Sequence, residues 1–282
     1  MTIAPAAANV AAAPNAETER ARWTASADAW DRWADPMADL ADKLNRPLLD
    51  AAGVVAGDHV LDLASGAGEP ALSAARRVGG SGLVIGSDLV PGMLSGAVRR
   101  AATEVDPPLF TAADMTSLPF ADGAFDRVTC RFGVMFVPDT IAALGDVRRV
   151  LRAGGRAAFM VWGPLAGNGL FAEIGAAVAA RLGEDHSLAP LFRFAAPGSL
   201  ATVISQAGFA SVTEIDLTPV RKAPADQPFW RAALDMSFGH RLGGLPAAER
   251  AALESDIAAR FAAQAVDGVV PVPAHVRIIV GQ

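Results

Sequence analysis

The sequence predicts an α/β fold in which helices cover both faces of a mainly parallel β-sheet. From residue 59 onward, β-rich runs alternate with runs of helical composition, and short turns rich in glycine or proline separate them. Such alternation is typical of βαβ units, whose strands run parallel beneath the intervening helices. Hydrophobic residues make up 52% of the 282-residue chain, which is enough to form a large core.

The N-terminal part of the chain precedes this alternation. Residues 1–16 contain Pro5 and Pro14 and lack the basic start of a signal peptide, so we expect a disordered tail there. Apolar residues then recur at steps of three and four, and Pro36 and Pro47 interrupt the pattern. Residues 17–53 are therefore predicted to form two short cap helices.

Residues 54–221 are predicted to form the core. A glycine turn and a helix at 69–78 follow the first β-rich run, HVLDL, and lead to a second β-rich run, GLVIGSDL, which together indicate a βαβ unit. The later predicted elements are helices at 92–102, 168–182 and 197–207 and strands at 108–112, 125–131, 156–162 and 210–217.

One further helix of the core is predicted to follow Asp139. Gly154 and Gly155 are expected to end it before the strand at 156–162. Its predicted buried stripe consists of Ile141, Leu144, Val147 and Leu151.

Residues 222–270 are predicted to be a helical cap insertion before the last strand. Apolar residues at 253, 257 and 261 recur one helical turn apart after Pro246, as in an amphipathic helix with a proline start. The run HVRIIVG then predicts that residues 271–282 contain the final strand of the core.

Composition excludes several classes of function. The formal charge of -6 disfavours nucleic acid as a partner. No stretch approaches the roughly 20 consecutive apolar residues of a membrane span. A single cysteine and four scattered histidines predict neither an internal disulfide nor a metal site, and a reducing cytoplasm is the expected location.

The loop after the first predicted strand is the strongest candidate for a binding site. Gly66 and Gly68 have no side chain, so backbone amides at the start of the next helix can approach a ligand closely. Asp88 lies 20 residues after Gly68, where a carboxylate can accept both hydroxyls of a ribose. This spacing, with Ala71, also fits nicotinamide and flavin enzymes, so two classes of nucleotide-binding protein remain open.

Three features distinguish these classes. Asp62 stands inside the first strand, where dinucleotide-binding folds usually place an apolar residue. Asp114 and Met115 follow the third strand and offer a carboxylate for an adenine amine and a thioether for an adenine face. The segments LPFADGAFDRV and LRAGGR lead into the next two strands, and neither is expected in a dinucleotide enzyme.

The ordered segments VLDLASGAGEP, IGSDLVPGML, AADMTSLPFADGAFDRVTCRFG and VLRAGGR resemble the successive motifs of class I S-adenosylmethionine-dependent methyltransferases. Within that superfamily the chain is most similar to the small-molecule methyltransferases of the quinone-biosynthesis type. The resemblance implies a Rossmann-like, seven-stranded, mainly parallel sheet whose last strand is antiparallel. It also implies S-adenosyl-L-methionine as cofactor and S-adenosyl-L-homocysteine as product.

The same resemblance implies a role for individual residues. The loop 64–68 would hold the methionine part of the cofactor, Asp88 the ribose, and Arg131 and Phe132 the surroundings of the transferred methyl group. The full set of implied cofactor-binding residues is Asp62, Ala64, Ser65, Gly66, Gly68, Asp88, Leu89, Met93, Asp114, Met115, Arg131 and Phe132.

Structural alternatives stay open for some members of this set. Asp62 can instead satisfy backbone amides near the loop. Leu89 and Met115 can be ordinary core residues, and Arg131 can form an ion pair with Asp126 or Asp139.

The expected reaction is methyl transfer to a small aromatic or polyketide-like hydroxyl acceptor. Aromatic cap residues would bind such a flat acceptor, unless they only fill the core of the cap, and His240 is the candidate general base. The expected acceptor-binding residues are Trp30, Trp33, Phe229, Trp230 and Phe238.

Other functions stay open at this level. Carbon methylation of a quinone-type ring is the nearest alternative, because the cofactor motifs do not specify the acceptor. A non-methylating protein that retains the cofactor structurally and a nicotinamide-dependent oxidoreductase are alternatives of other classes. A homodimer is the default expectation for the oligomeric state.

Overall fold

The computed structural model of the protein describes residues 14–183 and 188–282. Most of the predicted tail, residues 1–16, lies outside these ranges. The first helix begins at Ala16, where the side chain of Asn15 accepts a hydrogen bond from the backbone amide of Thr18, as at a typical helix N-cap.

A seven-stranded sheet with the strand order β3-β2-β1-β4-β5-β9-β6 forms the centre of the molecule. Strands β1 to β5 pair in parallel, and β9 is antiparallel to both β5 and β6. The fold class implied by the sequence motifs is therefore confirmed. The strands are β1 His59–Leu63, β2 Leu83–Asp88, β3 Leu109–Ala112, β4 Phe125–Arg131, β5 Leu151–Trp162, β6 Val212–Leu217 and β9 Val276–Gly281.

The strand order reverses between β1 and β4. The chain winds outward from β1 to β2 and β3, and then returns to place β4 on the other side of β1. In open α/β sheets, ligands bind in the crevice that such a reversal leaves at the carboxyl ends of the strands. This topology predicts the place of the site from the backbone alone.

Helices pack on both faces of the sheet. Leu144 and Val147 of α5 and Ile204 of α7 are buried against one face, and Leu48 and Val78, from α2 and α3, are buried against the other. The helices of the core are α2 Ala38–Ala52, α3 Ala71–Val78, α4 Leu94–Ala101, α5 Thr140–Val150 and α7 Ser199–Gln206.

The cap lies over the carboxyl edge of the sheet and has its own apolar core. Phe171, Leu234, Leu253 and Ile257 are among its buried residues. Its elements are α1 Ala16–Ala34, α6 Gly169–Leu182, α8 Arg231–Leu242, α9 Ala247–Ala262 and the antiparallel ribbon formed by β7 Val220–Pro224 and β8 Val269–Pro273.

The ribbon corrects the prediction of an entirely helical insertion over residues 222–270. In β8 the residues alternate between exposed and buried, with Val270 and Val272 facing inward. Pro271 and Pro273 obscure this strand in the sequence, yet a two-stranded ribbon tolerates proline because one side of each strand needs no ladder hydrogen bond.

Two predicted helix boundaries were wrong. Pro47 lies inside α2, because the burial of Leu48 and Leu49 in the core outweighs the lost backbone hydrogen bond. Helix α5 ends at Val150 and β5 begins at the next residue, so the glycine pair at 154–155 lies within the strand, where its pairing with β4 shifts register.

The predicted stripe of α5 is correct only in its middle. Leu144 and Val147 are fully buried, whereas Ile141 is 48% exposed. Ile141 lies beside the buried face of the helix, which consists of Thr140, Ala143, Leu144, Val147 and Val150. Leu151 already belongs to β5.

Candidate active site

A cavity of about 550 Å³ lies between the carboxyl ends of β1, β2 and β4 and the cap. Its volume is within the range of small-molecule sites. The loop after β1 forms its floor, and helices α1, α6 and α8 contribute its walls and roof. Ten of the twelve expected cofactor-binding residues line this cavity, and the other two, Asp62 and Gly68, do not.

The loop after β1 is held in place by backbone hydrogen bonds. The amide of Ser65 donates to the carbonyl oxygen of Ser87 over 2.9 Å, and the amide of Gly66 donates to Oδ2 of Asp88 over 3.0 Å. Gly66 has a φ of +51°, a conformation that glycine adopts without strain. The loop therefore presents its backbone to the cavity in a fixed shape.

Gly68 is required for packing and does not face the ligand. A Cβ atom at this position would lie 3.0 Å from the side chain of Leu72 and 3.3 Å from the Cα atom of Ala97 in α4. Its φ of +104° also favours glycine. The residue thus brings α3 and α4 close to the loop.

Asp62 is fully buried beneath the loop and corrects the expectation of a cofactor ligand. Its carboxylate accepts hydrogen bonds from the hydroxyls of Ser65, over 2.7 Å, and of Thr129 in β4, over 2.8 Å. Burial raises the pKa of Asp62 to about 7, although both hydroxyls oppose the shift. The residue connects the loop to β4 and so acts on the site through Ser65. Its role is structural, as the alternative proposed, but its partners are two hydroxyls and not backbone amides.

Asp88 has the position expected of a ribose-binding residue. Its Oδ2 atom accepts a hydrogen bond from Gly66, and its Oδ1 atom accepts one from the amide of Val90 over 3.0 Å. Burial raises the pKa of this carboxyl group. Each oxygen of a carboxylate can accept a second hydrogen bond, and the side chain lines the cavity.

The expected adenine-binding residues surround one end of the cavity. Leu89, Met93, Asp114 and Met115 all line it. Asp114 is exposed and accepts hydrogen bonds from the amide and the hydroxyl of Thr116. Met115 also belongs to the core of the sheet, so it can pack in the core and contact an adenine ring at the same time.

A strained turn at the end of β4 faces the loop. Ala64 and Phe132 are non-glycine residues with positive φ, +54° and +59°, and such strain is concentrated at functional sites. Between them, a Cβ atom on Gly133 would overlap the Cβ atom of Ala64 and lie 3.0 Å from Sγ of Cys130. The two backbone segments therefore approach as closely as glycine permits.

Two buried donors in the cavity lack a hydrogen-bond partner among the described residues: Nε of Arg131 and Nε1 of Trp30. Asp126 pairs with Arg152 over 2.6 Å, and Asp139 caps α5, so the ion pairs considered for Arg131 are absent from the described part of the chain. Buried donors are normally satisfied, so these two indicate a ligand that carries acceptor atoms.

The opposite end of the cavity is aromatic. Trp33 lines it, as expected, and Trp23 and Phe136 meet edge to face with ring centroids 4.8 Å apart. Phe132 stacks on Trp162 with centroids 4.0 Å apart and an angle of 5° between the planes. Phe136 and Trp162 were not predicted from the sequence. Phe136 lies in the turn after β4 and Trp162 is the last residue of β5, and aromatic residues at or just after the carboxyl ends of parallel strands point to this edge of the sheet.

Three of the five expected acceptor-binding residues do not reach the cavity. Trp230 and Phe238 are buried in the core of the cap, and Phe229 packs against Phe261 with ring centroids 4.9 Å apart. Helix α8 instead turns Met236 and its neighbours toward the cavity; the cavity-lining residues of α8 are Ala233, Met236 and Ser237.

His240 is also outside this cavity. Its Nε2 atom accepts a hydrogen bond from Nε of Arg241 over 3.2 Å. It lines a second cavity of about 560 Å³ on the far side of α1, together with Glu19 and Arg22. The general base predicted from the sequence therefore lines the second cavity and not the first.

Metal and membrane sites are not found in the described ranges. Residues 14–183 and 188–282 contain no group of three or more His, Cys, Asp and Glu side chains that could hold a metal ion. Within the same residues, no helix combines the length and the apolar composition needed to cross a membrane.

Comparison with known proteins agrees with this geometry. Residues 60–155 match the family model of a methyltransferase domain. The chain is 38% identical over 138 residues to a demethylmenaquinone methyltransferase from Thermus thermophilus, covering 46% of this chain and 62% of the relative. It is 37% identical over 147 residues to an uncharacterised protein from Mycobacterium tuberculosis, covering 52% and 51%. The chain thus spans about half the length of the curated relatives it matches.

Solved structures share the fold over more of the chain. The [4+2]-cyclase SpnF has a TM-score of 0.61 and 16% identity, with 97% of this chain and 98% of the other covered. The YcgJ protein from Bacillus subtilis has a TM-score of 0.54 and 20% identity, with 83% and 94% covered. At such identities the likeness establishes the fold alone.

The reversed strand order, the glycine loop and the acidic residue at the end of β2 define a nucleotide-type binding site at the edge of an α/β sheet. Residues 60–155 match a methyltransferase domain, in agreement with the resemblance of the motifs to class I S-adenosylmethionine-dependent methyltransferases.

Proposed function

We propose that the protein is an enzyme that transfers the methyl group of S-adenosylmethionine to a hydroxyl group of a small aromatic or polyketide-like compound. One observation carries this proposal. A single cavity connects the loop after β1, Asp88 and Arg131 with the aromatic walls of the cap. A cofactor and a flat, largely apolar acceptor would therefore lie side by side.

The residues of the floor fit the proposed cofactor. Its ribose hydroxyls would donate to Asp88, its adenine would lie between Leu89 and Met115, and its amino-acid end would face the loop. The carboxylate of that end is an acceptor for the unpartnered donors of Arg131 and Trp30. The cofactor supplies an electrophilic methyl group on a sulfonium.

The cap would align the acceptor and exclude water. Flat apolar surfaces of the cap are provided by Trp23, Trp33 and Phe136. A hydrogen bond of 3.0 Å from the indole N–H of Trp33 to Asp235 connects helix α1 to α8. Because methyl transfer is an in-line displacement, correct alignment and a dry cavity account for much of the expected rate enhancement.

Carbon methylation of a quinol-type ring is a second candidate. It is favoured by the relatives, which include a 2-phytyl-1,4-naphtoquinone methyltransferase from Trichormus variabilis, 38% identical over 110 residues, with 38% of this chain and 48% of the relative covered. The floor of the cavity is compatible with either acceptor atom.

Calorimetric titration with S-adenosylmethionine, S-adenosylhomocysteine and NADH tests the cofactor. We expect micromolar binding of the two adenosyl ligands and none of NADH. Asp88→Ala should weaken adenosyl binding by a factor of about 100, because two hydroxyl hydrogen bonds to a carboxylate are lost. Asp226→Ala, at an exposed position, is the matched control and should bind normally. Binding of NADH alone would refute the proposal.

Mass spectrometry of a panel of phenols, naphthols and quinols incubated with the cofactor tests turnover. A product heavier by one methylene unit is expected, and NMR spectroscopy then places the methyl group on oxygen or carbon. Tight cofactor binding without consumption across the panel would instead indicate a protein that retains the cofactor structurally.

A further inference from the structure

The carboxylate of Glu19 forms part of the wall that separates the two cavities. Glu19 lies in the first turn of α1, is only 6% exposed and lines both cavities. A buried carboxylate is costly unless it is well paired. No binding role was assigned to this residue from the sequence, although it lies one turn before Trp23 on the same helix face.

The pairing of Glu19 is weak. Among the described residues its one ion pair is with Arg22, whose Nη1 atom lies 3.4 Å from Oε2 of Glu19. Burial is the largest influence on Glu19 and raises its pKa, while Arg22, Trp23 and the more distant Arg241 of α8 oppose the increase. His240, on the same helix as Arg241, shares the second cavity with Glu19. Arg22 and Trp23 are hydrogen-bond partners of the Glu19 side chain, and its two carboxylate oxygens can accept further hydrogen bonds, because together they offer about four acceptor positions.

Arg22 packs this pair against the turn that follows β4. Its guanidinium lies over the rings of Trp23 and Phe136, at 4.9 and 5.0 Å from their centroids. Phe136 closes the short 3₁₀ turn that follows Phe132 and Gly133. The pair therefore packs against the segment that begins at Arg131 and Phe132 on the floor of the cavity.

We propose that Glu19 binds the reacting hydroxyl of the acceptor and removes its proton, and that Arg22 donates a hydrogen bond to the resulting oxyanion. This inference rests on the proposed function and replaces the role expected of His240. In the balanced step the O–H bond breaks and its proton passes to the carboxylate of Glu19. The oxygen then forms a bond to the methyl carbon, and the carbon–sulfur bond breaks with its electron pair left on sulfur. The proton is later released to solvent.

Binding selectivity tests the inference without turnover. The protein saturated with S-adenosylhomocysteine is titrated with 1-naphthol and with its methyl ether, 1-methoxynaphthalene. We expect the wild type to prefer the naphthol by about tenfold or more, since a hydrogen bond to a charged acceptor is lost in the ether. Glu19→Gln should reduce this preference, whereas Glu17→Gln, at an exposed position of the same helix, should retain it. A wild type without the preference, or a Glu19→Gln variant that keeps it, would overturn the inference.

The pH dependence of turnover separates a catalytic role from a structural one. With 1-naphthol, whose hydroxyl is largely un-ionised at neutral pH, the wild-type rate should rise with pH as Glu19 loses its proton. Glu19→Gln should lack this rise and turn over at least about 100-fold more slowly. With 4-nitrophenol, which ionises near neutral pH, the two proteins should differ little.

Two controls separate loss of the proton transfer from a general disturbance of the cavity. Cofactor affinity and thermal unfolding of Glu19→Gln should match the wild type. Equal losses with both phenols would show that Glu19 only shapes the cavity. A wild type that methylates no acceptor, yet keeps the naphthol preference, would refute the proposed function and leave Glu19 as a hydroxyl-binding residue without the proton transfer.

Discussion

The two ends of the cavity differ in how their polar groups are satisfied. At the cofactor end, Asp62 and Asp88 each accept two hydrogen bonds from groups that the sheet and its loop hold in place. At the acceptor end, Glu19 is paired with Arg22 over 3.4 Å, and Trp23 is a second hydrogen-bond partner of the Glu19 side chain. The hydrogen-bonded carboxylates of Asp62 and Asp88 fix the shape of the loop before a ligand arrives. The unpartnered donors of Arg131 and Trp30 and the loosely paired Glu19 instead depend on a ligand to complete their hydrogen bonding.

The two ends are joined by helix α1. Arg100 of α4 donates hydrogen bonds to the carbonyl oxygen of Ala67, over 2.8 Å, and to Glu69, and its Nε atom pairs with Asp35, the C-cap residue of α1, over 3.0 Å. The cap is thereby connected to the loop that forms the floor. If the ends are physically distinct, substitutions at one end should leave binding at the other unchanged.

The largest effect is expected from Gly133→Ala at the cofactor end. The new Cβ atom would overlap Ala64, so the loop or the turn must move, at a cost of about 3 kcal/mol in the free energy of unfolding. Displacement of the loop by about 1 Å should weaken cofactor binding by about 100-fold. Denaturant unfolding and calorimetric titration measure the two quantities.

Gly145→Ala is the matched control for this prediction. Gly145 lies in α5, and no described atom beyond its immediate surroundings would lie within 4 Å of the added Cβ atom. The variant should therefore be as stable as the wild type or more stable by about 0.5 to 1 kcal/mol. Normal cofactor binding by Gly133→Ala would show that the two backbone segments need not approach so closely.

A smaller, pH-dependent effect is expected from Asp62→Asn. Burial raises the pKa of Asp62 from its ordinary value of 3.8 to about 7 in the folded protein. Its stabilising contribution is therefore complete below about pH 4 and is lost as the pH rises through 7. Asparagine does not ionise. The stability of the variant relative to wild type should therefore increase between pH 4 and pH 8, on the order of 2 kcal/mol.

Denaturant unfolding at several pH values checks this prediction, with Asp226→Asn as the exposed control. The cofactor affinity of Asp62→Asn at neutral pH should stay within about threefold of wild type, because Asp62 lies outside the cavity. If the free energies of unfolding of Asp62→Asn and wild type differed by the same amount at every pH, the assignment of a buried, partly protonated carboxyl group would be contradicted.

The cofactor end could be predicted from the sequence because its residues are tied to local elements. Gly66 follows a strand by a few positions, and Asp88 ends the next strand, so chain order alone places both at the same edge of the sheet. The error over Asp62 arose because sequence does not show which face of β1 points to the cavity. In the structure the hydroxyls of Ser65 and Thr129 bind the Asp62 carboxylate beneath the loop, away from the cavity.

The acceptor end could not be predicted in the same way. Its residues come from α1, α6, α8, the segment after β4 and the last residue of β5. These elements are distant in the chain, and their meeting depends on how the cap packs. Phe238 and Met236 are both apolar residues of α8, yet only Met236 faces the cavity. Single-sequence patterns indicate that a helix has a buried face without showing what covers it.

The smallest effect is expected where the cap is closed, from Trp33→Phe at the acceptor end. The indole N–H donates to Oδ2 of Asp235 over 3.0 Å, and Oδ1 of the same carboxylate accepts from Arg250 over 2.5 Å. Phenylalanine keeps an aromatic ring at the cavity wall and removes this one bond, which should cost about 1 kcal/mol of stability. Acceptor affinity should fall a few-fold, while cofactor affinity stays unchanged.

A double-mutant cycle that combines Trp33→Phe with Asp235→Asn isolates the coupling between the two side chains. A coupling near zero would mean that this hydrogen bond does not stabilise the cap. An equal loss of cofactor affinity would mean that the two ends of the cavity do not respond separately.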